Sequence, residues 1–145
     1  MMYDEEIDYV YEKMIHDNKD MNYIKENLIN LFKELIYNGS LKELFQLSEI
    51  PMMETWLNEA SSEIHDKNDL ERLIDSRCQL WKYHDKCTGD KKQLLRVLLY
   101  AMYAYYLEGY DDELYELIAS IIEGLADIDE KFSDKFIEGL INDEL

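Results

Sequence analysis

The spacing of the apolar residues is the feature that most limits how this chain can fold. They recur every three or four positions through almost the whole sequence, and no stretch alternates apolar and polar residues long enough to indicate a strand. Helices place side chains on one face with a period of 3.6 residues, and strands with a period of two. The sequence therefore predicts an all-α protein. Its 145 residues are a usual length for one domain with one hydrophobic core.

Capping and breaking residues divide the chain into about eight helices. The first is predicted at about Asp4 to His16. Asp20 is placed to cap the second helix and Asn38-Gly39-Ser40 to close it, because glycine adopts the left-handed C-terminal turn most easily. Ser40 with Glu43 has the pattern of a capping box and predicts a short third helix. Pro51 suits the first turn of the fourth.

Three later helix starts are predicted from similar signals. They are Asn68 with Glu71, Asp90 with Gln93, and Asp111 or Asp112. The helix that begins at Asp90 is expected to continue through a tyrosine-rich stretch as far as Gly109. The last helix carries Phe132 and Phe136 on its apolar face.

An internal echo links two parts of the chain. Ile15-His16-Asp17-Asn18-Lys19-Asp20 and Ile64-His65-Asp66-Lys67-Asn68-Asp69 lie 49 residues apart, each between two predicted helices. The spacing resembles repeats of the HEAT or armadillo type, which here would cover residues 4–48 and 53–98. Two architectures stay open for this single domain, residues 1–145: a helical bundle and a stack of helical hairpins.

The stretch from Leu98 to Leu117 is rich in tyrosine and predicts a central pair of helices that meet at Gly109. Its tyrosines are Tyr100, Tyr103, Tyr105, Tyr106, Tyr110 and Tyr115. A helical wheel places Tyr105 and Tyr106 in the core and Tyr100 and Tyr103 on the opposite side. A helix that is apolar nearly all round is buried within its fold.

Charge is distributed unevenly along the chain, whose net charge is -18. Residues 1–66 carry a net charge of -10, residues 67–96 carry +3, and residues 97–145 carry -11. In the last third the acidic residues advance by three, four or seven positions, which predicts rows on the helix faces opposite the apolar stripes. Direct binding to DNA or RNA is not expected, because phosphate binding depends on Lys and Arg.

The basic middle segment has two interpretations. Its cations are Lys67, Arg72, Arg77, Lys82, Lys86, Lys91, Lys92 and Arg96. They could bind an acidic partner, or they could pair with the acidic ends of this protein. We favour pairing with the acidic ends, within one chain or between two chains, and the second arrangement would make a homodimer.

Each histidine is followed by an aspartate, in His16-Asp17, His65-Asp66 and His84-Asp85. The doublet resembles the metal-binding pair of the all-α HD phosphohydrolases, which implies metal-activated hydrolysis as an alternative function. A histidine in the last turn of a helix, followed by a turn-forming aspartate, explains the same pattern without a metal.

The cysteines do not form a recognisable zinc motif. Cys78, His84 and Cys87 are spaced loosely like zinc ligands, but a structural site needs four ligands, and His65 lies on another predicted helix. Cys78 instead continues the apolar stripe that reaches Trp81, which predicts a small buried side chain. The chain also offers no phosphate-binding glycine loop. We predict no catalytic residue, no metal and no cofactor.

The sequence predicts a cytoplasmic protein. The longest uncharged run, Val97 to Leu107, is about half of what a membrane-spanning helix requires. The N-terminal residues are acidic, whereas a secretory signal begins basic and then becomes apolar. Two cysteines in such a chain are expected to be reduced thiols.

These observations favour a non-catalytic acidic protein that binds a basic, nucleic-acid-handling partner. In size and composition the chain is similar to anti-CRISPR proteins, other phage-encoded DNA mimics and toxin-immunity proteins, a resemblance that implies inhibition of a nuclease or defence effector. A helical-repeat adaptor is a further alternative. The predicted partner-binding residues are Tyr110, Asp111, Asp112, Glu113, Tyr115, Glu116, Glu123, Asp127, Glu130 and Asp134.

Overall fold

The computed structural model describes residues 3–110 and 113–141. Within these ranges the chain forms seven α-helices and two short 3-10 helices, with no strand, which confirms the all-α prediction. The α-helices are α1 Asp4–His16, α2 Met21–Tyr37, α3 Ile50–Ser61, α4 Lys67–Asp85, α5 Gly89–Leu99, α6 Leu114–Ile128 and α7 Glu130–Ile141. The 3-10 helices are Leu47–Glu49 and Tyr100–Met102.

Helix α6 lies at the centre of one continuous core. It packs against α1, α5 and α7, while α2 packs against α3 and α7. Ile118, Ile121 and Ile122 of α6 are completely buried, as its regular apolar spacing predicts. Gly124 allows α5 to come close, because a Cβ atom there would lie 2.8 Å from Cγ2 of Val97. The helices form a bundle.

The two halves of the sequence echo pack differently. Helix α3 packs against its successor α4, whereas α1 packs against the distant helices α6 and α7. The segment after α2 also differs from the segment after α4, since residues 38–45 form turns and residues 89–99 form a helix. A stack of equivalent hairpins would show the same packing in each unit. The differences in packing therefore favour the bundle over the stack.

The caps confirm some predicted helix starts and correct others. Asp20 caps α2, accepting a hydrogen bond from the Tyr23 amide at 3.1 Å. Helix α4 begins after Asp66 rather than at Asn68, because Asp66 accepts from the Asp69 amide at 3.0 Å. Asp69 in turn accepts from the amide of His65 at 2.9 Å. The two aspartates cap the helix reciprocally, and this arrangement fixes its start two residues earlier.

The short helix predicted after Ser40 is absent from this segment of the structure. The Ser40 amide and hydroxyl both donate to Oδ1 of Asn38, which holds Ser40 in the turn after α2. The capping box lies instead at Gln46 and Glu49, at the start of a 3-10 helix. Pro51 lies in the first turn of α3, as predicted.

The tyrosine-rich helix predicted from Asp90 to Gly109 is wrong in its second half. Helix α5 ends at Leu99, and the chain continues through a 3-10 helix into turns. Tyr105 is buried, as predicted, but Tyr106 is 76% exposed rather than in the core. The hydroxyl of Tyr105 donates to the backbone carbonyl of Tyr100, which removes that acceptor from a continuing helix.

Candidate functional site

The segment between α5 and α6 is a compact loop, residues 103–110, which we call the tyrosine loop. The amide of Glu108 donates to the Ala104 carbonyl at 2.9 Å, and that of Tyr110 donates to the Tyr105 carbonyl at 2.8 Å. Gly109 has a φ of 82°, in the left-handed region that glycine favours. These bonds bring Tyr103, Tyr105 and Tyr110 together.

An ion pair clamps the tyrosine loop to α4. The guanidinium of Arg77 donates to both carboxylate oxygens of Glu108, at 2.8 and 2.9 Å. Arg77 also donates to the Met102 carbonyl at 3.1 Å, and its guanidinium lies 3.9 Å from the centre of the Tyr103 ring. Each side chain of the pair is 12% exposed. Such a fork of parallel bonds fixes geometry as well as charge.

The surroundings of the clamp shift the pKa values of its neighbours. Burial raises the pKa of Glu108, but hydrogen bonds from Arg77 and the Ala104 amide outweigh it, so the pKa lies below its ordinary value. Burial lowers the pKa of Lys25 to about 8. The ammonium of Lys25 donates to the Tyr103 carbonyl at 2.8 Å, which anchors the tyrosine loop to α2 as well.

A cavity of about 280 Å³ opens between the tyrosine loop and α6, and we call it the tyrosine pocket. It is lined by Met21, Tyr100, Tyr103, Tyr105, Tyr110, Glu113, Glu116, Leu117 and Ser120. The Tyr103 ring meets the Tyr110 ring edge to face, with centroids 5.7 Å apart, and lies 5.6 Å from the Tyr105 ring. Among the residues that the structure describes, the only charged groups in this lining are two glutamates.

The acidic face of α6 extends the pocket along the helix. Glu123 and Asp127 line a neighbouring groove of about 290 Å³ between α5 and α6, and Arg96 lies on its other wall. The groove shares Tyr100 and Ser120 with the tyrosine pocket. The two cavities are therefore adjacent along α6, and the groove contains Arg96 as well as the two carboxylates.

The side chain of Tyr115 contacts two residues of α1. Its hydroxyl donates to Oδ1 of Asp8 at 2.9 Å, and its ring meets the Tyr11 ring edge to face at 5.2 Å. The hydrogen bond to Asp8 raises the pKa of Tyr115 above its ordinary value. Tyr115 therefore holds α6 against α1, although it remains 38% exposed.

The acidic residues of α7 line neither the tyrosine pocket nor the groove beside it. Glu130 and Asp134 are both exposed, and neither forms an ion pair with a cation among the described residues. Lys135 points away from them and donates to Glu34 of α2 at 2.7 Å. One of the two lysines in the acidic last third of the chain thus neutralises a carboxylate on another helix.

The structure brings together only part of the predicted partner-binding set. Tyr110, Glu113 and Glu116 line the tyrosine pocket, and Glu123 and Asp127 line the groove beside it. Tyr115 lies at the edge of the same face, and Glu130 and Asp134 lie on α7. Asp111 and Asp112 fall outside the described residues.

Sequence reasoning missed the residues that shape the pocket. Tyr103 was predicted on a helix face, and neither Arg77 nor Glu108 was assigned to any site. Arg77 and Glu108 are 31 residues apart, and no local pattern connects them.

A cavity of about 550 Å³ lies elsewhere and has mixed charge. Lys25 and Lys33 of α2 line it together with Glu26 and Glu63. Exposed Tyr106 and Leu107 form part of its rim. Both signs of charge therefore occur in its walls, unlike in the lining of the tyrosine pocket among the described residues.

Each histidine contacts a carboxylate that is close to it in the sequence. In His16-Asp17 and His84-Asp85 the imidazole Nδ1 lies 3.0 and 3.1 Å from the adjacent carboxylate, at the ends of α1 and α4. His65 lies in the loop before α4, 3.3 Å from Glu63. Within residues 3–110 and 113–141, no group of three or more His, Cys, Asp or Glu side chains is suited to hold a metal ion.

Cys78 corrects a sequence prediction. It is exposed rather than buried, because α4 turns Leu73, Leu80 and His84 toward the core and leaves position 78 on the outer face. Both cysteines are free thiols, and Cys87 is half-buried.

Comparison with known proteins gives no match: no protein-family model, curated protein or solved structure is significantly similar to this chain. Across the described residues, the helices are too short or too polar for any of them to span a lipid bilayer.

Proposed function

We propose that this protein is a non-catalytic binding protein that captures a basic partner, of the class that handles nucleic acid, and inhibits it. The observation that carries the proposal is the acidic surface of α6 and α7. Its carboxylates are Glu113, Glu116, Glu123, Asp127, Glu130, Asp134 and Glu138, and none of them pairs with a Lys or Arg among the described residues.

Carboxylates that have no cationic partner within their own chain are suited to pair with the cations of another protein. Rows of like charge repel each other and lower helix stability, so such a surface has a cost for folding. Opposite charge on a partner removes that cost and steers diffusional encounter. A protein groove that binds phosphates carries the complementary charge, whereas DNA and RNA themselves would be repelled.

The aromatic rings beside the acidic surface supply a second requirement of a lasting complex. Charge at an interface chiefly raises the association rate, and buried aromatic anchors slow dissociation. Tyr110 is 40% exposed and lies next to Glu113 and Glu116 in the tyrosine pocket.

We propose the cytoplasm as the setting, because both cysteines are free thiols and exported proteins favour disulfides.

The test is a charge reversal on α6. The partner is first isolated by affinity capture from the native host or its phage, and its association rate is then measured at several salt concentrations. Reversing Glu113, Glu116 and Glu123 together to lysine should slow association on the order of tenfold or more and flatten its salt dependence.

A matched control carries the same change of net charge elsewhere. Glu43, Glu54 and Glu71 are exposed and form no ion pair in the described part of the chain, and reversing these three should alter association much less. Equal kinetics for the α6 variant and the unaltered protein, or equal loss in both variants, would contradict the proposal.

A further inference from the structure

The tyrosine pocket combines the two kinds of group that recognise a guanidinium. Rings of Tyr103, Tyr105 and Tyr110 form its aromatic wall, and Glu113 and Glu116 provide its charge. A cation over an aromatic face is attracted by the ring quadrupole, and a carboxylate accepts paired hydrogen bonds from arginine. No Lys or Arg lines the pocket among the described residues, so its negative charge is uncompensated.

The molecule itself shows this chemistry a short distance away. Arg77 lies 3.9 Å from the centre of the Tyr103 ring while its guanidinium forms two hydrogen bonds with Glu108. Arg77 is not part of the pocket lining. Arg77 already occupies one side of the Tyr103 ring, whereas the Tyr110 ring lies in the same pocket as Glu113 and Glu116 with no Lys or Arg in the lining among the described residues.

The pocket is held in shape by bonds that do not involve its ligand-facing groups. The clamp between Arg77 and Glu108 and the bond from Lys25 to the Tyr103 carbonyl fix the tyrosine loop. The Tyr105 hydroxyl donates to the Tyr100 carbonyl, and within the described ranges neither glutamate forms an ion pair with a Lys or Arg. Because little has to be ordered when a ligand binds, less of the interaction free energy is lost.

We propose that the tyrosine pocket is the binding site for an arginine side chain of the basic partner. The inference rests on the proposed function and adds the chemical group that is recognised. Arginine suits the pocket better than lysine, since its planar guanidinium stacks on rings and pairs with a carboxylate at the same time. The groove beside the pocket contains Arg96 opposite Glu123 and Asp127, so the proposal is limited to the pocket itself.

The probe is a blocked peptide with one arginine between glycines, compared with otherwise identical peptides that carry citrulline or lysine. Citrulline keeps the shape of arginine and lacks its charge. Binding at low salt is followed through the tyrosine-ring signals in NMR spectra of the labelled protein. We expect the arginine peptide to shift the signals of Tyr103 and Tyr110, the citrulline peptide to leave them unchanged, and the lysine peptide to bind more weakly.

Two variants locate the binding. Tyr110→Leu keeps an apolar side chain at an exposed position and removes the ring, and it should weaken arginine binding by about 2- to 30-fold. Glu116→Gln should also weaken it while leaving the fold intact, because Glu116 is exposed. Tyr37→Leu is the control, since Tyr37 is 94% exposed at the end of α2 and does not line the pocket.

The outcomes separate this inference from the proposed function. Equal binding of citrulline, tighter binding of lysine, or equal loss in Tyr110→Leu and Tyr37→Leu overturns the arginine site. A peptide with several arginines that shifts only α7 signals also overturns the pocket, while the proposed function stands. The opposite outcome is also distinguishable. If the arginine peptide binds the pocket but reversal of Glu113, Glu116 and Glu123 does not change the association rate with the partner, the arginine site is supported and the proposed function is contradicted.

Discussion

The clamp beneath the tyrosine loop and the surface of α6 and α7 use carboxylates in opposite ways. Glu108 is 12% exposed and is held by Arg77 and by the Ala104 amide. Glu116 and Asp134 are exposed and lack a cationic partner among the described residues. The first kind ties distant segments together, and the second weakens its own helix. A net charge summed over a segment does not distinguish them.

The basic middle of the chain shows the same division. Arg77 pairs with Glu108 in the acidic last third, and Lys91 pairs with Glu49 in the acidic first part, so the predicted pairing with the acidic ends is found for these two cations of the segment. Arg72 pairs locally with Asp69. Arg96 lies over the Trp81 ring, with its guanidinium carbon 5.6 Å from the ring centre, and it finds no carboxylate within ion-pair distance in the described residues. The homodimer stays a prediction.

The largest effect is expected from breaking the clamp. Glu108→Gln keeps the shape of the side chain but leaves Arg77 mostly buried without its counter-charge. We expect the free energy of unfolding to fall by about 3 to 5 kcal/mol, measured by urea unfolding. Glu116→Gln, an identical change on the α6 surface, should alter it by less than about 0.5 kcal/mol. Similar losses in the two variants would show that the clamp behaves as a surface pair.

A second effect depends on pH and concerns Lys25. Its pKa is about 8 in the folded protein against 10.5 for the ordinary side chain. Between these values the unfolded chain binds the proton and the folded chain does not, so this group makes the protein more stable as pH rises. Lys25→Met lacks this gain, and its stability relative to the unaltered protein should fall by up to about 3 kcal/mol from pH 8 to pH 10.5.

Comparing the two proteins at each pH isolates the lysine. Tyr105 also titrates in alkali, because burial raises its pKa, and it contributes stability below pH 10 that is lost above it. That loss is common to both proteins and cancels in the difference. Lys33→Met, on the exposed side of α2, should show no such change with pH. A flat difference for Lys25→Met would mean that the ammonium is solvated in the folded protein.

The fold could be predicted wherever local pattern decides it. Apolar spacing gave the bounds of α1, Asp4–His16, and the buried stripe of α6. The end of α5 could not be predicted, because it depends on the Tyr105 hydroxyl, which bonds to Tyr100, and on Arg77, which lies on another helix. No glycine or proline marks the break.

The candidate site, like the fold, could be predicted from the sequence only in part. Tyr110, Glu113 and Glu116 are close in sequence, and a turn followed by a helix start brings them to one place. Met21 joins them only through tertiary packing. A sequence can therefore indicate the acidic rim of this pocket and the tyrosines close to it in the chain, whereas the Arg77–Glu108 clamp that shapes the tyrosine loop follows from a contact between distant segments.

The smallest effect is expected on the surface of α6, with the opposite sign to the clamp. Asp127 lies in the last turn of α6, four residues after Glu123, where both the helix dipole and a like charge are unfavourable. Asp127→Asn should raise the free energy of unfolding by about 0.5 to 1 kcal/mol at low salt, and the gain should shrink as salt screens the charges. Glu54→Gln on α3 has no charged residue three or four positions away and should be neutral. If Asp127→Asn lost stability instead, Arg96 across the groove would be its partner, and the acidic surface open to a basic protein would be limited to the carboxylates of the tyrosine pocket and α7.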